Sequence, residues 1–270
     1  MDWAKIMVPL TGGEGDKRAL SAGAKVAALF GAELAAVYAP ADVSDLIPWM
    51  GDGYMGGVQP SAMDSLREAA AAGEASARAH LSACDYARQS FESLDTPVWA
   101  ALAMHGRLSD VVVFDDAAAR GKGALAQAFQ QIVADEQRPT LVARKDFRVG
   151  GVTAVAWDGG KEASRAMRTA LPLLQKSSAV VILTAPAASA RKSDPEALKA
   201  FLAARNVTAE VQILQGGGDP AHSLIKAASA ASADVLVAGA FGHPRLQEFI
   251  FGGTTRSLLH AEGPSLFISH

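Results

Sequence analysis

Five residues near the end of the chain have the types and spacing to hold a phosphate. Asp234-Val235-Leu236-Val237-Ala238 has the apolar character of a buried strand, and Gly239-Ala240-Phe241-Gly242 follows it. After nine intervening residues, Gly252-Gly253-Thr254-Thr255 opens the helical stretch Arg256-Ser257-Leu258-Leu259-His260. Open parallel sheets bind ligands outside the carboxyl ends of their strands. Glycine lets the backbone approach a phosphate closely and adopt positive φ. The first free N–H groups of a helix attract an anion. Gly239, Gly242, Gly252, Gly253 and Thr254 are therefore candidates to wrap a phosphate chain. Tight turns also need glycine, so the position between a buried strand and a helix start carries the weight of this reading.

Other reactive groups point to binding rather than catalysis. His243 and Arg245 lie between the glycines and read either as phosphate contacts or as parts of a solvated loop. His222 follows Asp219-Pro220, where an Asp N-cap with Pro at the first helical position explains the pattern. His80, His260 and His270 lack metal-ligand spacing. Cys84 is the single cysteine, which excludes an internal disulfide and a cysteine metal cluster. No Gly-x-Ser-x-Gly elbow occurs, and no carboxylates stand out as a general acid–base pair.

The glycines need elements to position them, and these come in two copies. Ile6-Met7-Val8-Pro9-Leu10 ends at Thr11-Gly12-Gly13, and Ala154-Val155-Ala156-Trp157 ends at Asp158-Gly159-Gly160. The same 147 positions separate Val8 from Val155 and Arg18 from Arg165. Arg138-Pro139-Thr140-Leu141-Val142-Ala143 likewise parallels Gly263-Pro264-Ser265-Leu266-Phe267-Ile268. A repeat of this length is a duplicated domain. Strands are expected at 5–10, 33–38, 97–102, 110–114 and 140–144, then at 152–157, 178–184, 207–214, 234–238 and 265–269. Helices are expected at 16–30, 62–90, 122–136, 161–176, 194–205, 219–232 and 246–260, with Pro172 kinking or shortening its helix. Alternating strands and helices imply parallel α/β sheets with helices on both faces. Domains of 1–146 and 151–270 follow, joined through the linker 145–151. The glycine-rich stretch 40–60 reads as a loop packed on its own domain, or as a lid or partner-contact surface.

Composition narrows the partners. Of 270 residues, 50% are hydrophobic and 20% charged, which suits globular packing rather than disorder. A net charge of -3 gives no general drive toward nucleic acid or anionic membrane. No apolar run approaches the roughly 20 residues that a bilayer span needs. The start of the chain lacks signal-peptide features, so a cytoplasmic protein is expected.

Gly239-x-x-Gly242, nine residues, then Gly252 resembles the G-2x-G-9x-G-[ST] signature of the universal stress protein family. The resemblance extends over nearly the whole chain, through the repeat and the short last strand. It implies two Rossmann-like (adenine nucleotide alpha hydrolase-like) domains, each a five-stranded parallel sheet of order 3-2-1-4-5. It implies pairing of the last strands, here Leu141–Arg144 with Leu266–Ser269, which would make the chain an intramolecular pseudo-dimer and leave a further homodimer open. It also implies ATP or another adenine nucleotide as ligand. Asp158 takes the position that contacts the nucleoside, Ala185 is the nearest match to the backbone that meets adenine, and Gly239, Gly242, Gly252 and Gly253 take the phosphate positions. Gly253 departs from the pattern by lacking a hydroxyl, and Thr254 stands one place later. A stress-response regulatory module follows, with an unidentified protein partner. Two alternatives stand beside it: an interaction module without nucleotide, and a slow ATPase in which Asp158 supports Mg²⁺.

The first half has lost these features. Thr11 stands at the position of Asp158. Asp115, Ala118, Gln127 and Ala128 replace Gly239, Gly242, Gly252 and Gly253. A carboxylate at Asp115 would oppose a phosphate by roughly 1 kcal/mol or more per close charge pair. No nucleotide is expected there, and a pocket lined by Thr11, His105 and Asp115 for another ligand is the alternative.

Overall fold

The computed structural model describes residues 2–40, 60–94, 98–144, 147–184, 194–215, 219–240 and 253–270. Its first half runs β1 (Lys5–Leu10), α1 (Gly15–Phe30), β2 (Glu33–Tyr38), α2 (Pro60–Ser82), β3 (Gln89–Ser93), α3 (Val98–Arg107), β4 (Val111–Asp115), α4 (Asp116–Ala119), α5 (Ala126–Ala134) and β5 (Thr140–Ala143). The second runs β6 (Val152–Ala156), α6 (Lys161–Thr169), α7 (Leu171–Lys176), β7 (Ala179–Thr184), α8 (Pro195–Ala203), β8 (Ala209–Ile213), α9 (Pro220–Ala230), β9 (Val235–Gly239), α10 (Gly253–His260) and β10 (Ser265–Ser269). Pro172 divides the helical stretch after β6 into α6 and α7, as its missing N–H requires. Asp219 caps α9 by accepting from the Ala221 N–H at 3.0 Å, ahead of Pro220. The 40–60 stretch falls almost wholly outside the described residues.

All ten strands form one sheet of order β3-β2-β1-β4-β5-β10-β9-β6-β7-β8. Each half keeps the expected 3-2-1-4-5 order with parallel pairing. The halves join where β5 and β10 run antiparallel, with Val142 opposite Leu266 and Thr140 opposite Ile268. This pairing covers two edges that would otherwise present free N–H and C=O groups. Apolar side chains fill both faces across the join. Leu20 and Val26 share one core with Met167 and Leu202, and Phe129 and Ile132 share the other with Leu224 and Leu259. Trp3 stacks on Phe267 with ring centroids 5.7 Å apart.

The duplication extends to the amino ends of the central strands. Asp110 accepts from the Ala4 and Lys5 N–H groups at 2.7 and 2.9 Å. Asp234, its counterpart, accepts from the Val152 N–H at 3.0 Å.

One expected strand is misplaced. The third strand of the first half is Gln89–Ser93, not 97–102, and the helix before it ends at Ser82, not at residue 90. The run from Val98 is α3 instead. Short apolar runs do not separate strand from helix, and Ala, Leu and Met favour helix. The true edge strand, Gln-Ser-Phe-Glu-Ser, is largely exposed and carries little apolar signal.

Candidate functional site

The carboxyl ends of β6 and β9 meet the first turn of α6. Gly239, the last residue of β9, lies so close to α6 that a Cβ there would stand 2.6 Å from both the Ala163 nitrogen and the Glu162 carbonyl carbon. Glycine is therefore required by packing, a reason the phosphate reading did not anticipate. Gly239→Ala is expected to destabilise the fold by about 1–3 kcal/mol through overpacking, measured as a lowered urea midpoint; an unchanged midpoint would show that the close approach relaxes freely.

Asp158 lies exposed in the loop between β6 and α6, and its Oδ1 accepts from the Gly160 N–H at 2.7 Å. That bond shapes the entry to α6. Gly253 and Thr254 form the exposed start of α10, and a Cβ at Gly253 would meet nothing within 4 Å among the described residues. An exposed, glycine-led helix start suits an anion. Asp158, Gly239, Gly253 and Thr254 thus lie within the described residues, whereas Ala185, Gly242, Gly252, His243 and Arg245 fall outside them.

Glu162 is a residue the sequence reading missed. Only 7% exposed, it sits on the first turn of α6 beside Gly239, with the Lys161 ammonium 3.5 Å away. An acid suits this end of a helix dipole. Its counterpart at the 147-residue offset is Gly15, whose virtual Cβ would lie 2.6 Å from Asp115 Oδ2. The two halves therefore exchange roles at one point of close approach. The first has glycine on the helix and a carboxylate on the strand; the second has the reverse. Comparing Gly15 with Glu162 at that offset was the available signal.

The first half closes the corresponding crevice with its own chain. Asp16, 3% exposed, accepts from the Thr11 N–H at 3.0 Å, the Thr11 hydroxyl at 3.2 Å and the Gly12 N–H at 2.7 Å. Helix α2 lies against this loop. Ser76 donates to the Gly12 carbonyl at 2.8 Å, and Tyr38 donates to the Ala70 carbonyl at 2.8 Å. Gly12 has φ +82°, and a Cβ on it would overlap the Gly73 carbonyl and stand 2.7 Å from Gly73 Cα. Asp115 caps α4 by accepting from the Ala118 N–H at 3.1 Å. His105 instead faces Glu92, with 3.5 Å between Nε2 and Oε1. Thr11, His105 and Asp115 are thus each engaged by different partners and do not share a hydrogen-bonded cluster.

Burial raises the Asp16 carboxyl above its ordinary value of 3.8, against the lowering effect of its hydrogen bonds and of His80. The folded state then holds this proton more tightly than the unfolded state. Its titration favours folding below 3.8, and that contribution is lost as pH rises through the folded value. In urea unfolding from about pH 3 to about pH 7, the wild type should lose stability relative to Asp16→Asn as pH rises. A constant difference between the two would contradict this.

Among the described residues, no group of three or more His, Cys, Asp or Glu could hold a metal ion, and no helix is long and apolar enough to cross a membrane. A separate open cleft of about 640 Å³ lies at the other end of the strands, lined in part by Lys25, Phe147, Arg148 and Asp234. It holds none of Asp158, Gly239, Gly253 and Thr254.

Two doubly wound α/β units sharing one sheet define the class of this protein. Residues 152–264 match the model of the universal stress protein family. That match lies within the second half, and the first half carries the same fold. A universal stress protein from Archaeoglobus fulgidus DSM 4304 superposes with a TM-score of 0.72 at 14% identity, covering 98% of this chain and 95% of that one. A functionally unknown protein from Pseudomonas aeruginosa PAO1 gives 0.59 at 14% identity, covering 99% and 92%. The cytoplasmic domain of a prokaryotic cation chloride cotransporter gives 0.52 at 12% identity, covering 99% and 95%. At these identities the likeness is one of fold. No curated protein matches the sequence.

Proposed function

We propose that the chain is a cytoplasmic stress-response module that binds ATP or another adenine nucleotide in its second half, residues 151–270, while the first half, residues 1–146, serves as a ligand-free partner. The observation that carries this reading is the exposed, glycine-led start of α10, the helix that follows β9 in the chain, with Asp158 exposed on the loop after β6. In this reading Asp158 contacts the nucleoside and the backbone near Ala185 meets adenine. Gly239, Gly242, Gly252, Gly253 and Thr254 hold the phosphates, with Thr254 supplying the hydroxyl that Gly253 lacks. Glu162 is acidic and close to Gly239, so a phosphate there needs a compensating cation, and Mg²⁺ fits that need.

Mass spectrometry of the supernatant from denatured protein tests the proposal, together with calorimetry using ATP and Mg²⁺. Co-purified adenine nucleotide, or binding at micromolar to millimolar ATP, would support it. No binding at millimolar ATP would refute it.

A second reading, an interaction module without nucleotide, is favoured by a specific feature of α3 and its end. Met104 and Leu108 stand four residues apart and are 64% and 82% exposed. An exposed apolar pair at this spacing suits a partner surface.

A further inference from the structure

Arg144 comes just after β5, and its side chain is 5% exposed between the two halves. Its guanidinium donates from one terminal nitrogen to the Leu258 carbonyl at 2.8 Å and the Leu259 carbonyl at 3.2 Å. The other terminal nitrogen donates to the Pro264 carbonyl at 3.0 Å. Nε donates to Asp116 at 3.0 Å. Leu258 and Leu259 lie in the last turn of α10, whose carbonyls lack partners within the helix. A cation at this end also complements the helix dipole. Asp116 opens α4 of the first half and pairs through its other oxygen with Arg120 at 2.6 Å.

We infer that Asp116 and Arg144 form a clamp through which the first half fixes α10, and so sets nucleotide affinity from outside the site. The inference rests on the reading that the phosphates meet the start of that helix. Helix α10 has 8 residues, a length of about 12 Å, so displacing its last turn displaces its first. The clamp runs in one direction only. Ser269 is the counterpart of Arg144 in the second half and has no guanidinium to return to α5. The carboxylates of the first half thereby gain a use. Asp115 shapes α4, and α4 presents Asp116 to the arginine. Arg144 is a positioning residue, since it touches the helix rather than the ligand.

The test uses the full chain with Asp116→Asn, Arg144→Lys and Asp116→Glu. Asp116→Asn keeps its shape and one acceptor, so the fold survives. Lysine keeps the charge of Arg144 but not the fork that reaches two carbonyls and a carboxylate together. Asp116→Asn and Arg144→Lys should speed hydrogen exchange of the α10 amides relative to those of α9, and should weaken ATP–Mg²⁺ binding about fivefold to tenfold. Asp116→Glu should restore both toward wild type. Unchanged α10 exchange in both variants would overturn the clamp, and faster exchange with unchanged affinity would overturn its role in binding. A wild type that binds no ATP would remove the nucleotide reading itself, and faster α10 exchange in the variants would then mark that failure as separate from a failure of the clamp.

Discussion

Gly242→Asp is expected to weaken ATP binding at least a hundredfold, about 2.7 kcal/mol, while leaving the urea midpoint within about 0.5 kcal/mol of wild type in free energy. A carboxylate among the phosphate-binding glycines adds charge repulsion of roughly 1 kcal/mol per close pair in water, and about 4 kcal/mol near a protein surface. Several phosphate charges would feel it. Gly242 is a better probe than Gly239, because α6 presses on Gly239 and a side chain there disturbs packing as well as any ligand. Calorimetry with ATP and Mg²⁺ checks the prediction. Unchanged affinity would place the ligand elsewhere on the molecule.

The second large effect belongs to the closed half. Gly12→Ala is expected to cost about 3 kcal/mol or more, combining a positive φ with overlap against a backbone. The residue sits at φ +82° directly under Gly73 of α2. Gly31 is the control: its φ is +63°, but a Cβ there meets nothing within 4 Å. Gly31→Ala should cost only about 1 kcal/mol. The gap between the two in urea unfolding measures the close approach of α2 to the loop after β1. Equal costs would mean that α2 does not close this crevice tightly.

Much of the fold was legible because duplication repeats the signal. The matching of Thr11-Gly12-Gly13 with Asp158-Gly159-Gly160, and of Pro139 with Pro264, marks the same strands twice. The apolar centre strands were clear for the same physical reason that buries them on both faces. Edge strand β3 was not, because its polar residues face solvent and α3 beside it offers the stronger apolar run. At the candidate site, the glycines could be found from spacing and Asp158 from the family resemblance, but what lies next to them could not. Asp16 closing the loop at Thr11, Glu162 against Gly239, and Arg144 reaching the end of α10 are contacts between residues distant in sequence or across a helix turn. Asp115 stands where the second half has Gly239, which sequence shows, but the packing of α2 on the loop after β1 is a contact only the structure shows.

The central claim is one nucleotide site per chain, in the second half. The most direct measurement is the stoichiometry of ATP–Mg²⁺ binding by equilibrium dialysis, on wild type and on Gly242→Asp. One equivalent per chain, lost in the variant, is the predicted result. Two equivalents, none, or one that survives Gly242→Asp would contradict it.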